Sequence, residues 1–137
     1  MTDHSLKGKT VLIAGGAKNL GGLLARDFAS QGAKAIVIHY TSAATQADAA
    51  AGRPDIAINT VGKVLKKPLL EISEAEYDEM SAVNAKAAFF FLKESGRHVN
   101  DGGRICTLVT SLLGAFTPFY SSYAGTKAPL EHFTRAA

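Results

Sequence analysis

The chain has 137 residues, 47% hydrophobic and 20% charged, enough apolar material for a core and a length that points to one domain over 1–137. A formal charge of +3, with no aromatics interleaved among the basic residues, gives no support for nucleic-acid binding. No window approaches a membrane-spanning length, and the start MTDHSLKGKT has neither an apolar signal core nor an Arg-rich amphipathic pattern, so the expectation is a cytoplasmic protein with no membrane partner.

Lys9 to Ile13 read KTVLI, a short β-branched run that predicts a strand, and the glycine-rich segment Ala14 to Gly22 follows at once. From Leu20 the positions Leu20, Leu23, Leu24 and Phe28 have helical spacing, and Gly32 offers a C-terminal stop. The glycines thus open a helix, whose unpaired N–H groups and dipole favour phosphate. The GKT at Gly8 to Thr10 is no Walker-type loop, because it precedes the strand and Asp3 stands where the first glycine belongs.

A second strand is expected in AKAIVIH, ending at His39, and Thr41 to Arg53 leaves room for one short alanine-rich helix. No Asp or Glu follows that strand, where an NAD-specific fold places an acid for the ribose hydroxyls. Tyr40, Thr41 and Ser42 stand there as donors for a 2′-phosphate, and Lys18 adds positive charge in the glycine loop, so NADP(H) is expected in preference to NAD(H). DIAINTVG, Asp55 to Gly62, predicts another strand, and Lys63, Lys66 and Lys67 follow as a basic loop. Ser73 with Glu76 makes a capping box for a helix carrying Tyr77, Met80, Asn84, Ala87, Ala88 and Phe91 at helical spacing.

RICTLVTSLLGAF contains an apolar strand with Ser111 at its end and Cys106 inside it. Tyr123 and Lys127 are four apart in SSYAGTKAPLEHFTRA, one turn along one helix face, so an ammonium can sit close to a phenol. A cation there favours the phenolate, which makes the tyrosine a proton donor or acceptor for a carbonyl–alcohol pair. Four histidines and one cysteine show no metal-ligand spacing, so no metal is expected.

These segments, in this order, resemble the short-chain dehydrogenase/reductases, whose loop is T-G-x-x-x-G-x-G and whose active site carries Y-x-x-x-K. Gly15 and Gly21 match the loop, Ala14 replaces its Thr, and Asn19 replaces its middle glycine, a substitution that left-handed backbone geometry tolerates. Asn59 and Gly62 match the family's D-x-x-V-N-N-A-G, with Thr60 and Val61 in place of Asn and Ala. The resemblance implies an α/β, Rossmann-like, doubly wound parallel sheet, here incomplete, with the third strand and the C-terminal strands missing. It also implies a cofactor site at Gly15, Lys18, Asn19, Leu20, Gly21, Tyr40, Ser42, Asn59, Gly62, Tyr123 and Lys127.

For catalysis the resemblance implies that Ser111 polarises a substrate carbonyl, Tyr123 supplies the proton, Lys127 lowers the tyrosine pKa and holds the ribose, and Asn84 anchors a relay water. Thr110 competes with Ser111 for the first role. The partners implied are a small carbonyl or alcohol substrate and, as in the family, further copies of the chain. Two expectations stand side by side: an NADP(H)-dependent oxidoreductase, and a catalytically inactive fragment serving as a nucleotide-binding or dimerisation module.

Overall fold

A computed structural model describes residues 5–39 and 52–137, and its contacts divide the chain into two compact units. The first comprises Met1–Thr60 and Ser95–Cys106, and the second Val61–Glu94 and Thr107–Ala137.

In the first unit β1 (Thr10–Ala14) pairs in parallel with β2 (Ala35–His39) on one side and β3 (Ile56–Asn59) on the other. With β4 (Arg104–Thr107) beside β3, the sheet order is β2-β1-β3-β4. β1, bounded on both edges, has Val11 and Ile13 fully buried, as expected for the run TVLIA in a parallel sheet. The helix α1 (Asn19–Ser30) covers the sheet with Ala25, Leu24 and Phe28, which join Val11, Ile13, Ile36, Ile38, Ile56 and Ile58 in one core. Leu20 and Leu23, read from spacing as part of that face, are exposed instead: the buried stripe begins with Gly21 and Gly22, so the helix lies closer through glycine than leucine would allow. The connection from β2 to β3, including the predicted helix at 41–53, lies mostly outside the described residues.

Asp55 ties the start of β3 to its neighbours. Its carboxylate accepts from the Thr10 N–H at 2.8 Å and the Asn100 side chain at 3.1 Å, and these bonds, the Thr10 bond first, lower its pKa. Arg53 donates to the carbonyls of His98 and Val99, both at 3.0 Å, capping the end of a helix where a cation is favoured.

The second unit is helical. Ser73 caps α2 (Glu74–Ser81) in a full capping box with Glu76. The helix then widens into a π segment (Ala82–Lys86) before continuing as α3 (Ala87–His98), whose residues from Ser95 belong to the first unit. Met80, Asn84 and Ala88 are buried along this run, four apart, while Tyr77 and Ala87 are exposed. α4 (Ser121–Lys127) packs against α2 and the π segment, and α5 (Pro129–Ala136) starts one residue later with Pro129 at its first turn, where no N–H is needed.

Candidate active site

In the first unit the glycine turn lies at the carboxyl ends of the strands. Register places His39 and Asn59 on either side of Ala14, and the Gly15 N–H donates to the His39 carbonyl at 2.9 Å. The chain turns out of β1 with Gly15 at φ 78° and Asn19 at φ 49°, so the asparagine adopts the left-handed geometry expected of it. α1 then begins without a side-chain cap, and the N–H groups of Asn19, Leu20 and Gly21 find no acceptor among the described residues. Uncapped donors at a helix start are what a pyrophosphate requires.

Gly21 packs too closely against its own chain for a side chain: a Cβ there would lie 2.7 Å from Thr60 Oγ1 and 2.8 Å from the Gly15 carbonyl carbon. Thr60 has a use that sequence reading missed. Its N–H and its hydroxyl both donate to the Ala14 carbonyl, at 3.0 and 2.8 Å, closing the end of β1. Lys18 and Leu20 are exposed beside these groups, and Asn59 is buried at the end of β3. Tyr40 and Ser42, the expected 2′-phosphate donors, lie outside the described residues.

Tyr123, Lys127 and Asn84 lie in the second unit. Tyr123 is half-buried in α4, its ring edge-on to Tyr120 with centroids 6.2 Å apart, and its hydroxyl bonds to no described residue. One turn on, Lys127 is 3% exposed, and its ammonium donates to the carbonyls of Val61 at 3.1 Å and Leu108 at 3.2 Å. Burial pushes the Lys127 pKa down. Two of three N–H bonds are thus spent on backbone, and the third has no acceptor among the described residues.

Asn84 is fully buried in the π segment, and its carboxamide grips the Lys63 backbone from both ends. Oδ1 accepts the Lys63 N–H at 2.8 Å, while Nδ2 donates to the Lys63 carbonyl at 2.9 Å and to Thr126 Oγ1 at 3.1 Å. One Oδ1 lone pair remains for a water. Thr126 continues the network by donating to the Ser122 carbonyl at 2.7 Å. Sequence reading passed over Thr126, although its place beside Lys127 was a signal. Val61 and Leu108 left none, because they act through carbonyls.

Ser111 is not at the strand end as expected. β4 stops at Thr107, and Ser111 opens a 3-10 turn, Ser111–Leu113, four residues later. Its side chain is exposed and bonds to no described residue, while the Thr110 hydroxyl accepts the Leu112 N–H at 3.3 Å. Nearby, Lys67 is held by Glu76 at 2.9 Å and Lys63 pairs with Glu79, whereas the Lys66 ammonium lies 5.8 Å from the Tyr120 ring centre. No cluster of metal ligands exists among the described residues, and no helix there is long and apolar enough to cross a membrane.

Known proteins match this arrangement along nearly the whole chain. The family model described as enoyl-(acyl carrier protein) reductase matches residues 38–137. A hydroxynaphthalene reductase-like protein of Metarhizium brunneum is 30% identical, covering 98% of this chain and 63% of the relative. Elsinochrome reductase 1 of Elsinoe fawcettii is 29% identical with the same coverage. A putative dehydrogenase from Burkholderia cenocepacia, solved with bound NADP, is 59% identical with a TM-score of 0.87, covering 97% of this chain and 64% of that one. The chain therefore spans less than two thirds of the length of these relatives. The Metarhizium alignment runs over 171 positions, more than the chain possesses, so the relative holds residues within the matched span that have no counterpart here. The glycine turn, the half-open β2-β1-β3-β4 sheet and the Tyr123–Lys127 helix, read with these matches, make the chain a member of the short-chain dehydrogenase/reductase family.

Proposed function

We propose that the chain is an NADP(H)-dependent oxidoreductase that interconverts a small-molecule carbonyl and a secondary alcohol. The observation that carries this reading is the Lys127 ammonium, buried and fixed by two backbone carbonyls, one helical turn from Tyr123, with its third N–H and the tyrosine hydroxyl both unbonded among the described residues.

The bound dinucleotide would be held by the uncapped start of α1 at Asn19, Leu20 and Gly21, with Lys18 beside it, and its nicotinamide supplies or accepts the hydride. Tyr123 gives its proton to the carbonyl oxygen as the new C–H bond forms, and takes it back in the reverse direction. Lys127 stabilises the phenolate left behind and offers its remaining N–H to a ribose hydroxyl. Ser111 donates to the same carbonyl oxygen, and Asn84 fixes the Lys63 backbone and holds a relay water through its spare lone pair. The cationic Lys18 and the absence of an acid directly after β2 favour the phosphorylated cofactor, as does the NADP bound to the Burkholderia relative. The aromatic side chains Phe116, Phe119 and Tyr120, and the reductase names of the fungal relatives, favour an aromatic ketone as substrate.

A second reading, a nucleotide-binding or dimerisation module without turnover, is favoured by the partial span of the relatives and by Tyr77, Phe89 and Phe90 exposed along α2 and α3. One experiment separates the two. Purified protein is titrated with NADPH and NADH by fluorescence and assayed on a panel of aromatic ketones. The enzyme reading expects tighter NADPH binding and turnover, with Tyr123→Phe lowering the rate by about 10²–10⁴-fold while binding is spared. Binding without turnover selects the module, and an unchanged rate in Tyr123→Phe removes the tyrosine from the acid role.

A further inference from the structure

We infer that Gly62 is a positioning residue, whose missing Cβ leaves the space that the Lys127 ammonium and the Asn84 carboxamide oxygen occupy. A Cβ built on Gly62 would stand 2.9 Å from Lys127 Nζ, 3.1 Å from its Cε and 3.4 Å from Asn84 Oδ1. The first distance is shorter than real Cβ contacts allow, and the second is tight. Backbone conformation is not what demands glycine here. Gly62 lies outside the left-handed region in which Gly15 and Gly32 sit, so alanine meets no φ penalty. What excludes a side chain is its neighbours.

Those neighbours cannot easily retreat. A lysine tip is ordinarily flexible, but Lys127 is 3% exposed and bonded to Val61 and Leu108, and Asn84 is fully buried with both ends of its carboxamide committed to Lys63. The residues on either side of Gly62 are therefore the ones that hold the two functional side chains: Val61 accepts from the lysine, and Lys63 exchanges two bonds with the asparagine. Gly62 lets the strand exit run beneath both without pushing either away. Other glycines in the same unit lack this constraint, since a Cβ on Gly125 meets nothing within 4 Å.

Any consequence for catalysis through Lys127 rests on the reductase reading, whereas the packing relation does not. The test is a double-mutant cycle in thermal stability with Gly62→Ala and Lys127→Ala, which requires neither cofactor nor turnover. Gly62→Ala is expected to lower the Tm of the wild-type protein by about 5 °C, the scale of an overpacked site, and to lower that of Lys127→Ala by much less. Equal losses in both backgrounds would overturn the inference. Should Gly62→Ala fail to fold, recovery of the fold in the double variant supports the relation, and failure of both variants refutes it. Titration of the lysine 13Cε resonances, with Lys127 assigned by its loss in Lys127→Ala, adds a signature that a merely structural role would not move. The Lys127 midpoint shifts in Gly62→Ala and stays in place in the Gly96→Ala control, where a Cβ meets nothing. An unmoved midpoint in Gly62→Ala counts against the inference whether or not the protein proves to be an enzyme.

Discussion

Replacing Asn84 by alanine tests how the second unit holds its reactive groups. The substitution strips the partner from three groups at once: the Lys63 N–H, the Lys63 carbonyl and the Thr126 hydroxyl. Thr126 keeps its bond to the Ser122 carbonyl, so its loss is small. The two Lys63 groups lose their bonds to a side chain with 0% exposure, and each polar group left unsatisfied costs about 1–3 kcal/mol. The expected total is about 3–5 kcal/mol, at the upper end for a single substitution, or roughly a 10–15 °C fall in Tm. Asn84→Asp separates the donors from the acceptor. It keeps an acceptor for the Lys63 N–H and loses both donated bonds. Thermal and urea unfolding by circular dichroism reads both substitutions. A loss below about 1 kcal/mol for Asn84→Ala would show that the carboxamide does not clamp the Lys63 backbone, and the relay-water role would then be its whole use.

Gly21→Ala should destabilise by about 1–3 kcal/mol and weaken the NADPH titration, because the new Cβ meets the Gly15 backbone and Thr60 rather than a yielding side chain. A melt and a titration that both match the wild type would remove Gly21 from the nucleotide loop. Acid sensitivity should pass through Glu76, whose carboxyl is held at about 2 by the Ser73 N–H first, then by Lys67 and the Ser73 hydroxyl. A depressed folded pKa means that its stabilisation is complete above the ordinary carboxylate range, near 4.3, and is lost as pH falls from there toward about 2. Asp55 titrates in the same direction, so the informative quantity is the difference between wild type and Glu76→Gln: the variant should melt lower at pH 6, and the difference should shrink as pH falls toward about 2. Parallel melting curves across that range would show that the Glu76 network contributes nothing.

Much of this molecule is written in side-chain identity. The strand read in KTVLI, observed one residue later as TVLIA, the left-handed tolerance of Asn19, the stop at Gly32 and the Ser73–Glu76 capping box each follow from a local rule. Three features were hidden for physical reasons. The α1 face was read only in part, since Leu24 and Phe28 pack on the core whereas Leu20 and Leu23 are exposed and the fully buried positions are Gly21, Gly22 and Ala25, which carry almost no hydrophobic signal. The π segment at Asn84 shifts the helical period by one residue over a short span, too little to disturb an i, i+4 pattern of buried positions. The lysine cradle could not be read at all, since Val61 and Leu108 contribute backbone oxygens that every residue possesses.

The departures from the family pattern show which parts of a motif are chemical and which are geometric. Asn19 in place of glycine keeps the turn because the position asks for a positive φ, and asparagine supplies one at 49°. Thr60 in place of asparagine sends two bonds to the Ala14 carbonyl, so the end of β1 is closed by a different side chain with the same result. Gly62 and Gly21 admit no such exchange, since what they provide is the absence of an atom, beside Lys127 in one case and Gly15 in the other. Among the described residues, β2 is half-exposed along Ala35 to Ile38, β4 alternates exposed Arg104 and Cys106 with half-buried neighbours, and these two are the outer strands of the sheet. Local substitutions in the motifs are answered by local bonds, whereas an edge strand needs a whole neighbour. The turn out of β1 and the lysine cradle each draw their bonds from within their own unit.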